Sequence, residues 1–101
     1  MDYGIKEGPE EFELAISGQL IYSDTTAFAK ILQQASASAA RSFVVQLEAL
    51  NHIDSSGLRM LLLMHDLCKS LGASLVFAKA GGQVREMLLH SKFDTIVALV
   101  E

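Results

Sequence analysis

Two hydrophobic periods take turns along this chain, and their alternation confines it to one fold class. Phe12, Leu14 and Ile16 alternate with Glu11, Glu13 and Ala15, the two-residue repeat of a half-buried strand. Gly4, Gly8 and Pro9 punctuate the stretch before it, so residues 2 to 6 are expected to pair with that strand as a hairpin. Gly18 closes the strand, with a continuation open through Leu20 and Ile21. Ser23 or Asp24 is then the expected N-cap of a helix carrying Phe28, Ile31 and Leu32, which fades in the Ala/Ser stretch 35–40.

Phe43, Val44, Val45 and Leu47 read as a buried strand. Asn51-His52-Ile53-Asp54 reads as a loop, followed by a helix from Ser55 to about Leu71 that Gly72 terminates. Leu75 to Phe77 is the next short strand. Gly81-Gly82 is a turn leading into a short amphipathic helix marked by Val84, Met87 and Leu88, and Thr95 to Val100 is the last strand. Strands alternating with helices in this order imply crossover units. The class is α/β: one domain, residues 1–101, built on a mostly parallel sheet of four to five strands covered by helices.

Half the residues are apolar and a fifth are charged, which is ample for one core. Eight basic residues, scattered along a chain of net charge −4, give no concentrated basic face, so no direct nucleic-acid partner is expected. The acidic, polar start is not a signal peptide, and apolar runs such as Met60 to Met64 are far too short for membrane insertion. Cys68 is the single cysteine, so no internal disulfide forms, and its place in an apolar helical pattern makes it a small core residue. A cytoplasmic protein is the expectation.

The chemistry concentrates in Asp54-Ser55-Ser56-Gly57-Leu58, between a buried strand and a helix. Ser55 falls where an N-cap belongs, and capping the first turn can be all that it does. A helix N-terminus also favours a phosphate, because free N–H groups and the helix dipole both stabilise negative charge. Gly57 removes bulk from the first turn, which would let another protein reach the Ser55 hydroxyl, and Leu58 would offer an apolar contact beside it. A phosphate on Ser55 adds about −1.5 to −2 charges, which a partner that had buried the neutral hydroxyl could not accept.

This strand–loop–helix, with Gly18 after the early strand, resembles the STAS domain, and most closely the single-domain anti-sigma factor antagonists of bacteria. The likeness in element order and spacing runs from about Phe12 to Val100. It implies a partner-switching regulator of transcription. The hydroxyl directly after the Asp, here Ser55, is phosphorylated by an anti-sigma factor that is also a serine-protein kinase. The unphosphorylated antagonist binds that kinase and frees the sigma factor, and a PP2C-type serine phosphatase resets the cycle. The resemblance gives Asp54 the shaping of the acceptor loop, Ser56 a supporting place and Leu58 a partner contact. It implies no cofactor. Two positions depart from the family pattern: Ile21 follows Gly18-Gln19-Leu20 where many members place an acid, and Arg59 stands where many have glycine and so alters the docking surface. STAS domains also serve as small subunits of membrane transport complexes, including ABC-type lipid transporters, and as scaffolds that are never phosphorylated.

An enzyme is not expected. Asp54 and Ser55 are adjacent and cannot form a nucleophile–His–acid relay, His65 lies ten residues into the helix, and the Gly-x-Ser-x-Gly elbow is absent. His65 and Asp66 point in different directions on their helix, so no metal site is expected. Met60, Leu63, Met64, Leu67 and Leu71 form the expected core stripe of that helix. Arg59, Leu62, Asp66 and Lys69 form its outward face, where Leu62 is a second candidate for partner contact.

Overall fold

The computed structural model describes residues 1–101. Its strands and helices follow in the order β1 (Asp2–Glu7), β2 (Glu11–Leu20), α1 (Thr25–Ser36), β3 (Ser42–Gln46), β4 (Leu50–Ile53), α2 (Ser55–Leu71), β5 (Ser74–Ala78), α3 (Gly82–His90) and β6 (Ala98–Val100). Short 3-10 turns cover Tyr22–Asp24 and Phe93–Thr95. β1 and β2 form the expected antiparallel hairpin, with Ile5 opposite Leu14. Every other pairing is parallel, and the main path across the sheet is β1-β2-β3-β5-β6.

Each parallel step from β2 to β3, β5 and β6 moves in the same direction, so right-handed crossovers bring the three helices to one face of the sheet. Burial agrees with that construction. Phe12, Leu14, Ile16, Phe43, Val45 and Phe77 point under the helices and are buried, with the Phe12 and Phe43 rings 5.0 Å apart. Their neighbours Glu13, Val44, Gln46 and Val76, aimed at the opposite face, remain half-exposed. Phe28, Ile31 and Ala35 from α1, Met60, Leu61, Met64 and Cys68 from α2, and Val84 and Leu88 from α3 complete the same core. No helix is long and apolar enough to cross a membrane.

Three local readings of the sequence are corrected and two are refined. Leu50 to Ile53 is a strand, not a loop, so the sheet has six strands. β2 bends at Gly18, whose φ of +83° suits a residue without a Cβ, and its last residues then pair with β4 instead of β3. The core stripe of α2 is Gly57, Met60, Leu61, Met64 and Cys68, leaving Leu63 and Leu71 exposed. The run Met60 to Met64 is apolar throughout and cannot fix the rotation of the helix by itself. β6 begins at Ala98, because the Ile96 and Val97 amides both bond to the Phe93 carbonyl, at 3.0 and 2.9 Å, and are withdrawn from the ladder. Asp24 occupies the N-cap position of α1 but makes no side-chain cap there.

Candidate functional site

The sharp junction between β4 and α2 is made by Asp54. Its backbone N–H donates to the Leu20 carbonyl at 3.3 Å, which keeps it in the sheet, and its own carbonyl accepts the first helical bond from Leu58 at 3.0 Å. Its carboxylate then takes two more amides: Oδ1 accepts from Gly57 at 2.8 Å and Oδ2 from Tyr22 at 3.2 Å. Asp54 is therefore the N-cap of α2, and Ser55 is the first helical residue rather than the cap. The reason is chemical: a carboxylate can hold both Gly57 and Tyr22, whereas a serine hydroxyl would serve a single amide well.

That substitution of roles leaves Ser55 exposed at the positive end of a 17-residue helix. At a helix start the amides of the first two residues, here Ser55 and Ser56, have no carbonyl four residues back to bond. Ser56 is half-buried. Gly57 does not open the site to a partner, contrary to the sequence reading. It is buried, and a Cβ on it would lie 2.5 Å from Ile53 Cγ1 and closer still to the Leu20 carbonyl oxygen. Glycine is needed so that α2 can press against the end of β2.

Leu58 is half-buried and packs on the core, so part of it remains at the surface. Arg59, Leu62, Asp66 and Lys69 are exposed on the outward face of α2 as expected, and Ser55 heads an exposed ridge that runs through Arg59 and Leu62 to Asp66 at spacings of four, three and four residues. That ridge is about 16 Å long, and Leu62 is 40% exposed on it. Asp24 does not stand free beside Ser55 as an acid. Its oxygens accept the Ile21 amide and the Met1 ammonium, each at 2.9 Å. Burial alone would raise the Asp24 carboxyl, but those two partners outweigh it and hold the group below its usual value.

The family model described as Mlab, STAS domain, matches residues 4–101. The chain belongs to the STAS family. A search of curated proteins finds no match to this STAS chain. Among solved structures, a putative anti-sigma factor antagonist from Thermotoga maritima superposes with a TM-score of 0.87 at 17% identity, covering 98% of this chain and 86% of that one. The anti-sigma factor antagonist SpoIIAA in its unphosphorylated form gives 0.80 at 17% identity, covering 99% and 89%. A sulfate transporter family protein from Wolinella succinogenes gives 0.73 at 16% identity, covering 90% and 75%. At such identities these likenesses establish the STAS fold.

Two residues that tie down the β4–α2 junction escaped the sequence reading. Tyr22 is 75% exposed, and its backbone N–H ties it to the carboxylate that caps α2. Gln83 reaches from α3 to Ile53: its Oε1 accepts the Ile53 N–H at 2.9 Å and its Nε2 donates to the Ile53 carbonyl at 2.8 Å. A signal for Gln83 existed, since it precedes Val84 and lies four residues before Met87, on the inward face of an otherwise apolar stripe. Tyr22 gave none, because a single aromatic residue after a strand is compatible with any role.

Proposed function

We propose that this STAS domain is a non-catalytic cytoplasmic switch in which reversible phosphorylation of Ser55 controls docking of a serine-protein kinase that doubles as an anti-sigma factor. The observation that carries the reading is the exposure of Ser55 on the first turn of α2 while Asp54 supplies the cap. The hydroxyl is spared from structural duty. The unbonded first-turn amides and the helix dipole favour the anion that replaces it. A docked partner would cover Ser55, Arg59 and Leu62 along the ridge, with the exposed parts of Tyr22 and Leu58 beside it. Charge at the head of that ridge changes which partner can sit there, with little change in the fold. A PP2C-type phosphatase resets the site.

The test is affinity capture from the source cells with the wild-type chain, S55A and S55D in parallel, and mass-spectrometric mapping of phosphate on the wild type. Wild type and S55A should retain a serine kinase that S55D loses, and the label should sit on Ser55. Equal capture by S55A and S55D, or label elsewhere, defeats the proposal.

A second reading is an accessory subunit of an ABC-type transport complex. It is favoured by the structural likeness to a sulfate transporter family protein. Recovery of a transport ATPase in place of a kinase, indifferent to charge at position 55, decides for it.

A further inference from the structure

β3 and β4 lie end to end along the same side of β2: Glu11 to Ala15 pair with β3, and Gly18 to Leu20 pair with β4. On its other side β3 is paired with β5, and the last rung there is the Leu47 N–H to the Ala78 carbonyl at 2.9 Å. β5 ends at Ala78, so no strand continues beside β4. Successive residues of a strand direct their N–H and C=O groups to opposite sides. The Asp54 amide faces β2, where it meets Leu20, and both backbone groups of Ile53 therefore face the side with no strand. Ile53 is fully buried, so leaving those groups without partners would be costly.

Gln83 fills that place. Its primary amide presents one acceptor and one donor in the order that a neighbouring strand would, and it satisfies both groups of Ile53 at 2.9 and 2.8 Å. We infer that Gln83 is a positioning residue for the Ser55 turn, acting as a one-residue substitute for the missing strand. Held by Leu20 on one side and Gln83 on the other, Ile53 and Asp54 have a fixed height at the sheet end. The first turn of α2, which carries Ser55, inherits that height. The link also joins Ser55 to α3, so anything that displaces the Gly81-Gly82 turn at the start of α3 displaces the acceptor too. The positioning role rests on the Ser55 reading above; the link between Gln83 and Ile53 does not.

The experiment is native-state amide exchange, followed by NMR on the full chain, for wild type, Q83L and Q83E, with the Phe77 amide as the internal reference for global opening. The Ile53 amide should be protected in wild type. In Q83L it should exchange at least about tenfold faster relative to Phe77, the size expected for one lost buried hydrogen bond. Q83E keeps an acceptor for the Ile53 N–H but sets a carboxylate against the Ile53 carbonyl, so Ile53 protection should rise as acid restores its donor. An unprotected Ile53 amide in wild type, or a Q83L change in step with Phe77, overturns the link. On the functional side, the kinase captured by wild type should phosphorylate Ser55 more slowly in Q83L than in a core variant of matched stability such as V84A. Equal rates overturn the positioning role. No phosphate on wild-type Ser55 overturns the acceptor reading instead, and the exchange result at Ile53 still decides the link.

Discussion

Gly57 stands so close to the end of β2 that a Cβ would run into the Leu20 carbonyl oxygen. That oxygen is also the acceptor for the Asp54 amide, so the contact and the hydrogen bond that starts the α2 turn share one atom. G57A must push α2 off the strand or break the Asp54 bond. Overpacking of this kind costs about 1–3 kcal/mol, and more where backbone must move. The expected loss is about 3 kcal/mol by urea denaturation with an unchanged m-value, and NMR shift changes should concentrate at Leu20, Ile53 and residues 54–58. Stability within about 0.5 kcal/mol of wild type would show that the turn relaxes freely.

Asp54 carries a similar burden through its side chain. D54A removes the acceptors of both Gly57 and Tyr22, and losing an N-cap typically costs about 1–2 kcal/mol. D54N keeps one acceptor oxygen and should lose about half as much. Tyr22 fluorescence should change in both variants, because its backbone is released. If D54N and D54A are equally destabilised, the two-amide account of the carboxylate is wrong.

The sequence made some parts of this molecule legible and hid others for identifiable reasons. Phe12, Leu14 and Ile16 announced β2 because a strand with one covered face must alternate, and Gly72 marked the end of α2 because it adopts the left-handed conformation there. β4 was hidden because Asn51 and His52, its central residues, are exposed and polar, and its pairing depends on a bend at Gly18 far away in sequence. The position of Ser55 as an exposed residue near a helix start was legible, whereas its exact helical position was not. Asp and Ser are equally good caps, and the choice of Asp54 turns on the Tyr22 amide, 32 residues distant. The phase of α2 was set by the same long-range contact of Gly57 with Leu20, which no local pattern contains.

Cys68 gives a prediction on the alkaline side. Burial pushes its thiol up from 9.0 to about 11, so the folded state holds the proton at a pH where the unfolded chain releases it. Its contribution to stability is complete below pH 9.0 and declines as pH rises from there towards about 11. C68A should lose some packing at neutral pH yet show a flatter decline above pH 9.0. Stability curves of the two proteins from pH 7 to 11 test this, and parallel curves would refute it. Thiol reagents at pH 8 should label the native protein only at its rate of opening.

Arg59 leads to the last prediction. It sits one turn beyond Ser55, both are exposed, and residues four apart on a helix have Cβ atoms about 5–6 Å from each other. A phosphate on Ser55 would therefore lie within reach of the guanidinium, with the anion on the N-terminal side, the favourable order along the dipole. Repulsion from Asp54 opposes this, but that carboxylate is already occupied by two amides. An exposed pair of this spacing is worth about 0.3–0.5 kcal/mol, and an anion at the helix start about 0.3–1 kcal/mol. Chain carrying genetically encoded phosphoserine at position 55 should melt a few degrees above the unmodified chain, since about 1 kcal/mol corresponds to about 4–8 °C in a domain of this size. In R59A roughly a third to a half of that gain should vanish, and high salt should erase the difference between the two backgrounds. A gain identical in both backgrounds would show that Arg59 does not meet the phosphate, and a loss in both would mean that the helix start does not accept it.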